Sequence, residues 1–393
     1  MTETPGRHSV DSLLVKAGRE HHRSAVSVNP PVHRASTYLF ETLADFETAS
    51  RTPFDGPFYG RVGTPTTFAF EKAVCELEGG HRTIATSSGV AAIAAAFLAF
   101  LDRGDHVLVV DTVYEPVRRF CTRMLSRLGI ETTFYDPAMG ADILGLVRPE
   151  TPAIYLESPG SGTFDIQDIR SIVAVARERG LRTIMDNTWA TPVLLQPLSL
   201  GIDVSVQSAT KYIVGHSDAM LGTVTTTAET YDAVRRSTQD LGACAGSEEC
   251  NLGLRGLRTL GVRLRRHEAS ALSLAAWLEG RPQVARVLHP ALPSFPGHAL
   301  WKRDFAGSCG LFSIELMPCE PASLRDMVDG LRHFGIGFSW GGYESLVLPV
   351  HTETRQVARW KGKGPVLRLH VGLEAVEDLR DDLEQGLGRL CSD

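Results

Sequence analysis

Two stretches decide the fold: TIMDNTWA (residues 183–190) and VSVQSATK (residues 204–211). Each begins as a short apolar run and ends in polar side chains: Asp186, Ser208, Thr210 and Lys211. Short apolar runs between helical segments are typical of buried strands in a parallel sheet. The two stretches therefore predict strands over Thr183–Asp186 and Val204–Gln207. Functional residues would then stand at the carboxyl ends of these strands, where open parallel sheets bind ligands.

The same alternation of strands and helices extends outward through residues 58–245. Further strands are predicted at His106–Asp111 and Ala153–Glu157. Helices are predicted at Pro65–Gly79, Ala91–Leu101, Tyr114–Leu128 and Ile169–Arg179. This order indicates an α/β fold with a large, mostly parallel sheet that is covered on both faces.

The sequence before and after this segment follows different patterns of predicted elements. Before it, Pro30, Pro31, Pro53 and Pro57 exclude a long helix, so residues 1–57 are predicted to form an N-terminal arm. After it, residues 246–393 predict a smaller C-terminal α/β domain. Its predicted elements are helices at Glu248–Leu278, Pro321–Leu331 and Val376–Leu390, and strands at Val284–Leu288, Leu311–Leu316 and Val366–Val371.

Composition narrows the class of protein. A net charge of −6 without a long run of one sign argues against a nucleic-acid partner. Residues 1–23 lack the apolar centre of a signal peptide, and no stretch approaches the length of a membrane span. The 7 cysteines are irregularly spaced, so we expect reduced thiols in a cytoplasmic protein and no metal site.

The polar residues after the strands match the requirements of pyridoxal 5'-phosphate (PLP). The cofactor needs an amine for a Schiff base, a carboxylate facing its ring nitrogen, and donors for its phosphate. Lys211 supplies the amine and Asp186 the carboxylate. Gly89 and Val90 open a predicted helix, whose free N–H groups attract phosphate. Additional hydroxyl donors stand beside the lysine, on Ser208 and Thr210.

Collinear motifs along nearly the whole chain resemble the Cys/Met-metabolism family of PLP-dependent enzymes. The matching segments are FYGR (58–61), SSGV (87–90), YEP (114–116), ESPGS (157–161), DNTWA (186–190), SATKY (208–212), VGHSD (214–218), RGLRTL (255–260), FSWGGYES (338–345) and RLH (368–370). The resemblance implies the fold of aspartate aminotransferase (fold type I), with a sheet of seven strands. It also implies a homo-oligomer, expected to be a homotetramer whose active sites are shared between subunits.

The resemblance implies a role for each matching residue. Lys211 would form the Schiff base and shuttle protons, Asp186 would face the ring nitrogen, and Tyr114 would stack on the ring and assist proton transfer. The phosphate would be bound by Gly89, Val90, Ser208 and Thr210, and from the neighbouring subunit by Tyr59 and Arg61. The substrate would be bound by Tyr59, Ser339, Trp340 and Arg368, with the planar fork of Arg368 on the α-carboxylate.

The implied reaction is cleavage of a carbon–sulfur bond in a sulfur amino acid. Gly160-Ser161-Gly162 resembles the β-lyase branch of the family, whose γ-acting members have x-Asn-Pro there. This predicts β-elimination of L-cystathionine to homocysteine, pyruvate and ammonia, as in methionine biosynthesis. Two departures bear on the substrate: Phe338 replaces a tyrosine, and Ala243–Cys250 matches the family poorly.

Other functions are compatible with parts of the sequence. The same scaffold and lysine also serve γ-elimination or γ-replacement, and lyases that act on cystine or cysteine conjugates. A serine hydrolase is suggested by Gly215–Ala219, although the second glycine of a nucleophile elbow is absent. A PLP-binding regulator without catalytic activity would need an additional DNA-binding domain, for which the chain has no spare segment.

Overall fold

The computed structural model describes residues 9–19 and 28–391 of the chain. Its strands are β1 (Arg82–Thr86), β2 (His106–Val110), β3 (Glu131–Tyr135), β4 (Ala153–Glu157), β5 (Arg182–Asp186), β6 (Val204–Gln207), β7 (Gly222–Thr226), β8 (Val284–Leu288), β9 (Leu311–Leu316), β10 (Gly335–Ile336), β11 (Leu346–Pro349) and β12 (Val366–His370). Its α-helices are α1 (Val10–Lys16), α2 (Leu43–Arg51), α3 (Pro65–Glu78), α4 (Gly89–Leu98), α5 (Glu115–Arg119), α6 (Ser126–Leu128), α7 (Ile169–Arg179), α8 (Thr191–Leu194), α9 (Tyr231–Asp240), α10 (Ser247–Glu279), α11 (His298–Asp304), α12 (Pro321–Asp329) and α13 (Val376–Gly388). A π-helical turn, Phe120–Leu125, joins α5 to α6.

The larger sheet has seven strands in the order β1-β7-β6-β5-β4-β2-β3. Only β7 runs antiparallel to its neighbours, so the sheet is mostly parallel, as predicted. Every residue of β2 and β4 is buried because helices cover both faces of the sheet. The carboxyl ends of β2, β4, β5 and β6 therefore meet at one edge, which we call the catalytic edge.

The smaller sheet has the order β10-β11-β12-β9-β8 and is antiparallel except for the pair β10–β11. Its apolar face forms a second core with the end of α10 and with α12 and α13. The predicted boundary at residue 246 falls directly before α10. The first half of this helix packs in the large core through Leu254 and Leu257, and its second half packs in the small core through Leu274 and Leu278.

A buried carboxylate links the loops of the two regions. Asp111, directly after β2, pairs with Arg118 at 2.6 Å and accepts the N–H groups of Val357 and Ala358 at 2.6 and 2.7 Å. Because these donors belong to the loop between β11 and β12, Asp111 fixes that loop at the rim of the larger sheet. This contact helps to hold the small sheet against the catalytic edge.

The predicted arm contains two helices in its described part. Arg258 of α10 donates hydrogen bonds to the carbonyl groups of Leu14 and Ala17, which holds α1 against the large core. The nine-residue α2 has no buried residue; Thr42 caps its start, and Pro53 follows shortly after its end. The rest of the arm prediction falls on residues 1–8 and 20–27, which lie outside the described residues.

Most predicted elements are confirmed, several with their bounds. The omissions include three strands of the larger sheet, β1, β3 and β7, which are rich in threonine and lack a continuous apolar run. Inside the sheet the hydroxyls of Thr83 and Thr225 pair with each other at 2.7 Å, so these polar side chains can be buried. Tyr114–Leu128 was predicted as one helix, but the π-helical turn interrupts it and Tyr114 is its N-cap.

The helices of the described residues differ from what a membrane span requires. None of them combines the length and the apolar character that a span needs.

Candidate active site

Lys211 lies in the loop after β6, against the turn that precedes β11. Its Nζ donates a hydrogen bond of 2.6 Å to Oγ of Ser339 and lies 5.5 Å from the centre of the Trp340 ring. Burial and the nearby charge of Arg368 lower its pKa to about 8, against the opposing effect of Asp186. A large fraction of this amine is therefore neutral near pH 8, the form that acts as nucleophile or base.

Asp186 ends β5 at the catalytic edge and is only 8 % exposed. Its carboxylate accepts the N–H of Thr188 at 2.8 Å. Burial raises the pKa of this carboxyl, whereas hydrogen bonds from its neighbours oppose the shift. A cationic ligand group at this position would restore the ionised carboxylate.

Glu157 is a second buried carboxyl at this edge, and the sequence argument gave it no role. It ends β4 directly opposite Asp186 in the parallel register. Its carboxylate accepts the N–H of Tyr114 at 2.8 Å and the hydroxyl of Ser161 at 2.5 Å. Burial and the charge of Asp186 raise its pKa to about 8. Its place as the last residue of the predicted strand Ala153–Glu157 is the signal that could have identified it.

Tyr114 begins α5 at the same edge, with 42 % of its surface exposed. Burial of the other part raises the pKa of its hydroxyl, and the negative charges of Asp186 and Glu157 raise it further. The phenol therefore stays protonated at neutral pH. An exposed aromatic ring beside buried carboxyls can cover a planar ligand.

The start of α4 meets the loop after β6. Ser88 caps the helix by accepting the N–H of Ala91, which leaves the N–H groups of Gly89 and Val90 at its open end. A Cβ at residue 89 would lie 2.7 Å from Cβ of Ser208, so only glycine permits this approach. The result is a group of backbone N–H donors next to a serine hydroxyl, which suits a phosphate.

Thr210 is placed differently from this group. Its hydroxyl donates to the carbonyl of Leu221 at 3.1 Å and accepts the N–H of Leu221 at 2.9 Å. The hydroxyl proton is thus used within the protein, and the free donors at this end are those of Gly89, Val90 and Ser208. Ser208 is itself fixed by a hydrogen bond of 2.9 Å from its N–H to the hydroxyl of Thr188.

The small sheet contributes Arg368 from the middle of β12. One guanidinium nitrogen donates to the carbonyl of Ser339 at 2.9 Å, and Nε is buried without a hydrogen-bond partner among the residues that the structure describes. Burial lowers the pKa of this group. An orphaned buried donor on a guanidinium is costly unless a ligand accepts from it, and a carboxylate suits its planar fork. Trp340 packs beside it on Tyr212, with ring centres 5.4 Å apart.

Tyr59 and Arg61 are not brought to Lys211 within the chain. Tyr59 is 44 % exposed. Arg61 donates to both the main-chain and side-chain oxygens of Gln239 in α9, each at 2.9 Å. The other expected site residues meet at the catalytic edge, whereas these two lie on an outward surface.

The residues suggested for a serine hydrolase do not form a catalytic pair. Ser217 donates its hydroxyl to Glu344, and His216 is hydrogen-bonded to the carbonyl of Val214. A serine–histidine pair needs the imidazole within hydrogen-bond reach of the serine hydroxyl, and in the described part of the chain no hydrogen bond joins Ser217 to His216. Among the described residues no cluster of three side chains could hold a metal ion.

The fold and the site together define a PLP-dependent enzyme of fold type I. The residues fit the cofactor: a buried amine of lowered pKa, a buried carboxyl, and a phosphate cradle that a Cβ at Gly89 would fill. The chain belongs to the family of Cys/Met metabolism PLP-dependent enzymes, whose family model matches residues 11–388.

Comparisons with individual proteins agree with this family. The chain is 45% identical over 389 residues to the cystathionine beta-lyase MetC of Escherichia coli, covering 97% of this chain and 98% of that protein. It is 42% identical to an L-alanine/L-glutamate racemase of Wolbachia pipientis, covering 97% of each chain. The crystal structure of metB from Corynebacterium glutamicum superposes with a TM-score of 0.89 at 30% identity, covering 99% of this chain and 100% of that one.

Proposed function

We propose that this chain is a PLP-dependent carbon–sulfur lyase that cleaves L-cystathionine by β-elimination. One observation carries the proposal: the Lys211 amine is buried, has a pKa lowered to about 8, and lies between Ser339 and the charges of Asp186 and Arg368. Homology to cystathionine beta-lyases supports the substrate. The products are homocysteine, pyruvate and ammonia, with one water consumed.

Lys211 moves the protons of the reaction. Bound PLP supplies an electron sink for the negative charge that develops at the substrate Cα. Nζ of Lys211 removes the proton from Cα as a neutral amine, and then donates a proton to the departing sulfur. Ser339 holds the amine at 2.6 Å, and the protonated hydroxyl of Tyr114 is a second donor for the sulfur. The bond between Cβ and sulfur breaks with both electrons on sulfur.

The remaining residues bind and orient the reactants. Asp186 would face the ring nitrogen of the cofactor and favour its protonated form, and Tyr114 would cover the ring. Gly89 and Val90 bind the phosphate through backbone N–H groups, with Ser208 and Thr210 beside them. Arg368 binds the α-carboxylate of the substrate, for which its buried Nε is available. Trp340 lines the substrate pocket next to Ser339.

The test is the product of the purified, PLP-loaded protein with L-cystathionine. Pyruvate, 2-oxobutyrate and free thiol are measured together from the same reaction. We expect pyruvate and thiol in equal amounts and no 2-oxobutyrate. A reaction that gives 2-oxobutyrate would instead assign γ-elimination, and pyruvate from cystine but not from cystathionine would assign a cystine lyase.

Racemisation is a second candidate, favoured by the 42% identity to the L-alanine/L-glutamate racemase. Both reactions begin when a base removes the proton from Cα, and racemisation ends when a proton returns to the opposite face. The assay is incubation with L-alanine and measurement of D-alanine. Turnover of L-alanine faster than that of L-cystathionine would replace the lyase by the racemase as the main activity.

We further propose a cytoplasmic homotetramer that acts in methionine biosynthesis, in which Tyr59 and Arg61 complete the neighbouring subunit's site as phosphate and substrate contacts. Support comes from the exposed position of Tyr59 and from Leu39 in the arm, which is 95% exposed. Light scattering after gel filtration tests the tetramer. The pathway is tested by expressing this chain in a bacterium that lacks cystathionine beta-lyase and measuring growth on minimal medium.

A further inference from the structure

The turn between β10 and β11 is conformationally strained at the residue that touches Lys211. Ser339 has φ +78° and Gly341 has φ +87°. A residue with a side chain rarely adopts this left-handed conformation, and it persists only where the surroundings fix it. In this conformation the hydroxyl of Ser339 accepts from Lys211 and its carbonyl accepts from Arg368.

Two side chains of β12 hold the turn from one face. Residues two apart on a strand point to the same side, so Arg368 and His370 both reach the turn. Arg368 donates to the carbonyl of Ser339 at 2.9 Å, and Nε2 of His370 accepts the N–H of Gly341 at 3.0 Å. His370 is fully buried, so water does not replace it as the partner of Gly341.

The position of the turn also depends on close contact with the lysine backbone. A Cβ at Gly341 would lie 2.8 Å from the backbone nitrogen of Tyr212 and 2.9 Å from the carbonyl carbon of Lys211. The turn therefore packs directly against the peptide bond between Lys211 and Tyr212. A displacement of Gly341 would move Ser339 relative to the amine that it holds.

His370 is suited to a neutral, fixed role. Its neighbours are His267, with ring centres 5.3 Å apart, Tyr212 at 6.0 Å, and the cations Arg368 and Lys211. Burial lowers its pKa to about 3, and the adjacent imidazole and cations contribute to the shift. Nε2 also lies 3.1 Å from the carbonyl of Gly342, so either neutral tautomer is hydrogen-bonded to the turn.

We propose that His370 is a positioning residue that, through Gly341, holds Ser339 against Lys211 and Arg368. The inference rests on the roles proposed for Lys211 and Arg368, but not on which bond the enzyme breaks. Loss of the imidazole would release the strained turn, and both the environment of the Lys211 amine and the carboxylate-binding fork would change.

The test compares His370→Leu with His370→Asn, whose amide offers the turn both an acceptor and a donor. The matched control is His289→Leu. His289 is equally buried, its pKa is also lowered by burial, and it accepts the N–H of Ala291 at 3.1 Å through Nδ1 in the small domain. Two readouts besides turnover are used on the PLP-loaded proteins. One is the pH midpoint of the cofactor absorbance, and the other is the dissociation constant for L-alanine, measured by the absorbance change.

We expect His370→Leu to weaken L-alanine binding about tenfold or more, since small misplacements in a site cost this much. The pH midpoint should move by about half a unit or more, because the partner of the amine is displaced. His370→Asn should stay within about threefold of the wild type in L-alanine binding, and His289→Leu should lower the melting temperature without changing either readout.

Wild-type values in a folded His370→Leu protein would overturn the proposal, as would equal shifts in His289→Leu. If the leucine variant does not fold, His370→Met, which fills the space with a flexible side chain, takes its place with the same expectations. A wild-type protein that does not release pyruvate from L-cystathionine, combined with the expected shifts, would reject the lyase and retain the role of His370.

Discussion

The two sheets supply the site in different ways. The larger sheet contributes residues that follow the carboxyl ends of its strands, among them Asp186 after β5 and Lys211 after β6. The smaller sheet contributes Arg368 from the middle of β12 and Ser339 from a strained turn. We infer that residues of the larger sheet perform the proton transfers. Residues of the smaller sheet bind the substrate carboxylate and align the amine of Lys211.

The largest expected effect comes from removing the amine of the larger sheet. Lys211→Ala should lower the rate of pyruvate release at least a thousandfold, because general acid–base and covalent contributions are lost together. Lys302→Ala, at an exposed position of α11, is the control and should have the wild-type rate. Substantial turnover by Lys211→Ala would contradict the proposal that Lys211 of the larger sheet performs the proton transfers.

A change in the smaller sheet should act mainly on substrate binding. Arg368→Lys keeps the positive charge but loses the planar fork, so KM should rise about tenfold with a smaller change in kcat. Arg368→Gln also loses the charge, and KM should rise about a hundredfold. Steady-state kinetics with L-cystathionine provide both constants. A fall in kcat at constant KM would contradict the division between the sheets.

The pH profile tests the electrostatic link between the sheets. Burial and Arg368 lower the pKa of Lys211 to about 8, so kcat, which reports the substrate complex in which this amine is free, should rise with pH through a midpoint near 8 as the amine becomes neutral. Arg368→Gln removes the positive charge and should move this rise to higher pH by about half a unit or more. Arg368→Lys should leave it in place. Identical profiles in all three proteins would mean that Arg368 does not act on the amine.

The smallest effect concerns the stability of the larger sheet. Burial raises the pKa of Glu78, which supports β6 through Ser205 and Gln207, to about 7 from 4.5. The stabilising effect of the protonated form is complete below pH 4.5 and is lost as the pH rises through about 7.

Glu78→Gln does not titrate, so its stability relative to the wild type should increase by about 1–3 kcal/mol between pH 5 and pH 8. Denaturant unfolding at the two pH values measures this difference. Glu47→Gln, on the exposed helix α2, is the control and should show no such trend. A constant difference for Glu78→Gln across this range would mean that Glu78 is ionised in the folded protein at both pH values.

The contrast between the sheets also explains what the sequence could predict. Lys211 and Asp186 were predicted from the residues alone, because strand ends in a parallel sheet have a positional rule. Arg368, Ser339 and Trp340 were expected only through the family resemblance, since the middle of an antiparallel strand and a turn have no comparable rule. The left-handed conformation of Ser339 in particular is imposed by contacts with distant segments.

The other differences also come from contacts between segments that are separate in the sequence. The threonine-rich strands β1, β3 and β7 lack an apolar run, and the pairing of the Thr83 and Thr225 hydroxyls between β1 and β7 depends on a strand order that the local pattern does not contain. The position of Glu157 opposite Asp186 could not be predicted without the strand order, which makes β4 and β5 neighbours. The hydroxyl of Thr210 was expected to face the phosphate, but its proton is used by the carbonyl of Leu221.

The most direct test of the central claim locates the cofactor on the chain. The yellow, PLP-loaded protein is reduced with borohydride, which makes the bond between cofactor and lysine permanent, and its peptides are analysed by mass spectrometry. We predict that the cofactor mass is found on Lys211 and on no other lysine. Label on a different lysine, or a reduced protein without label, would contradict it.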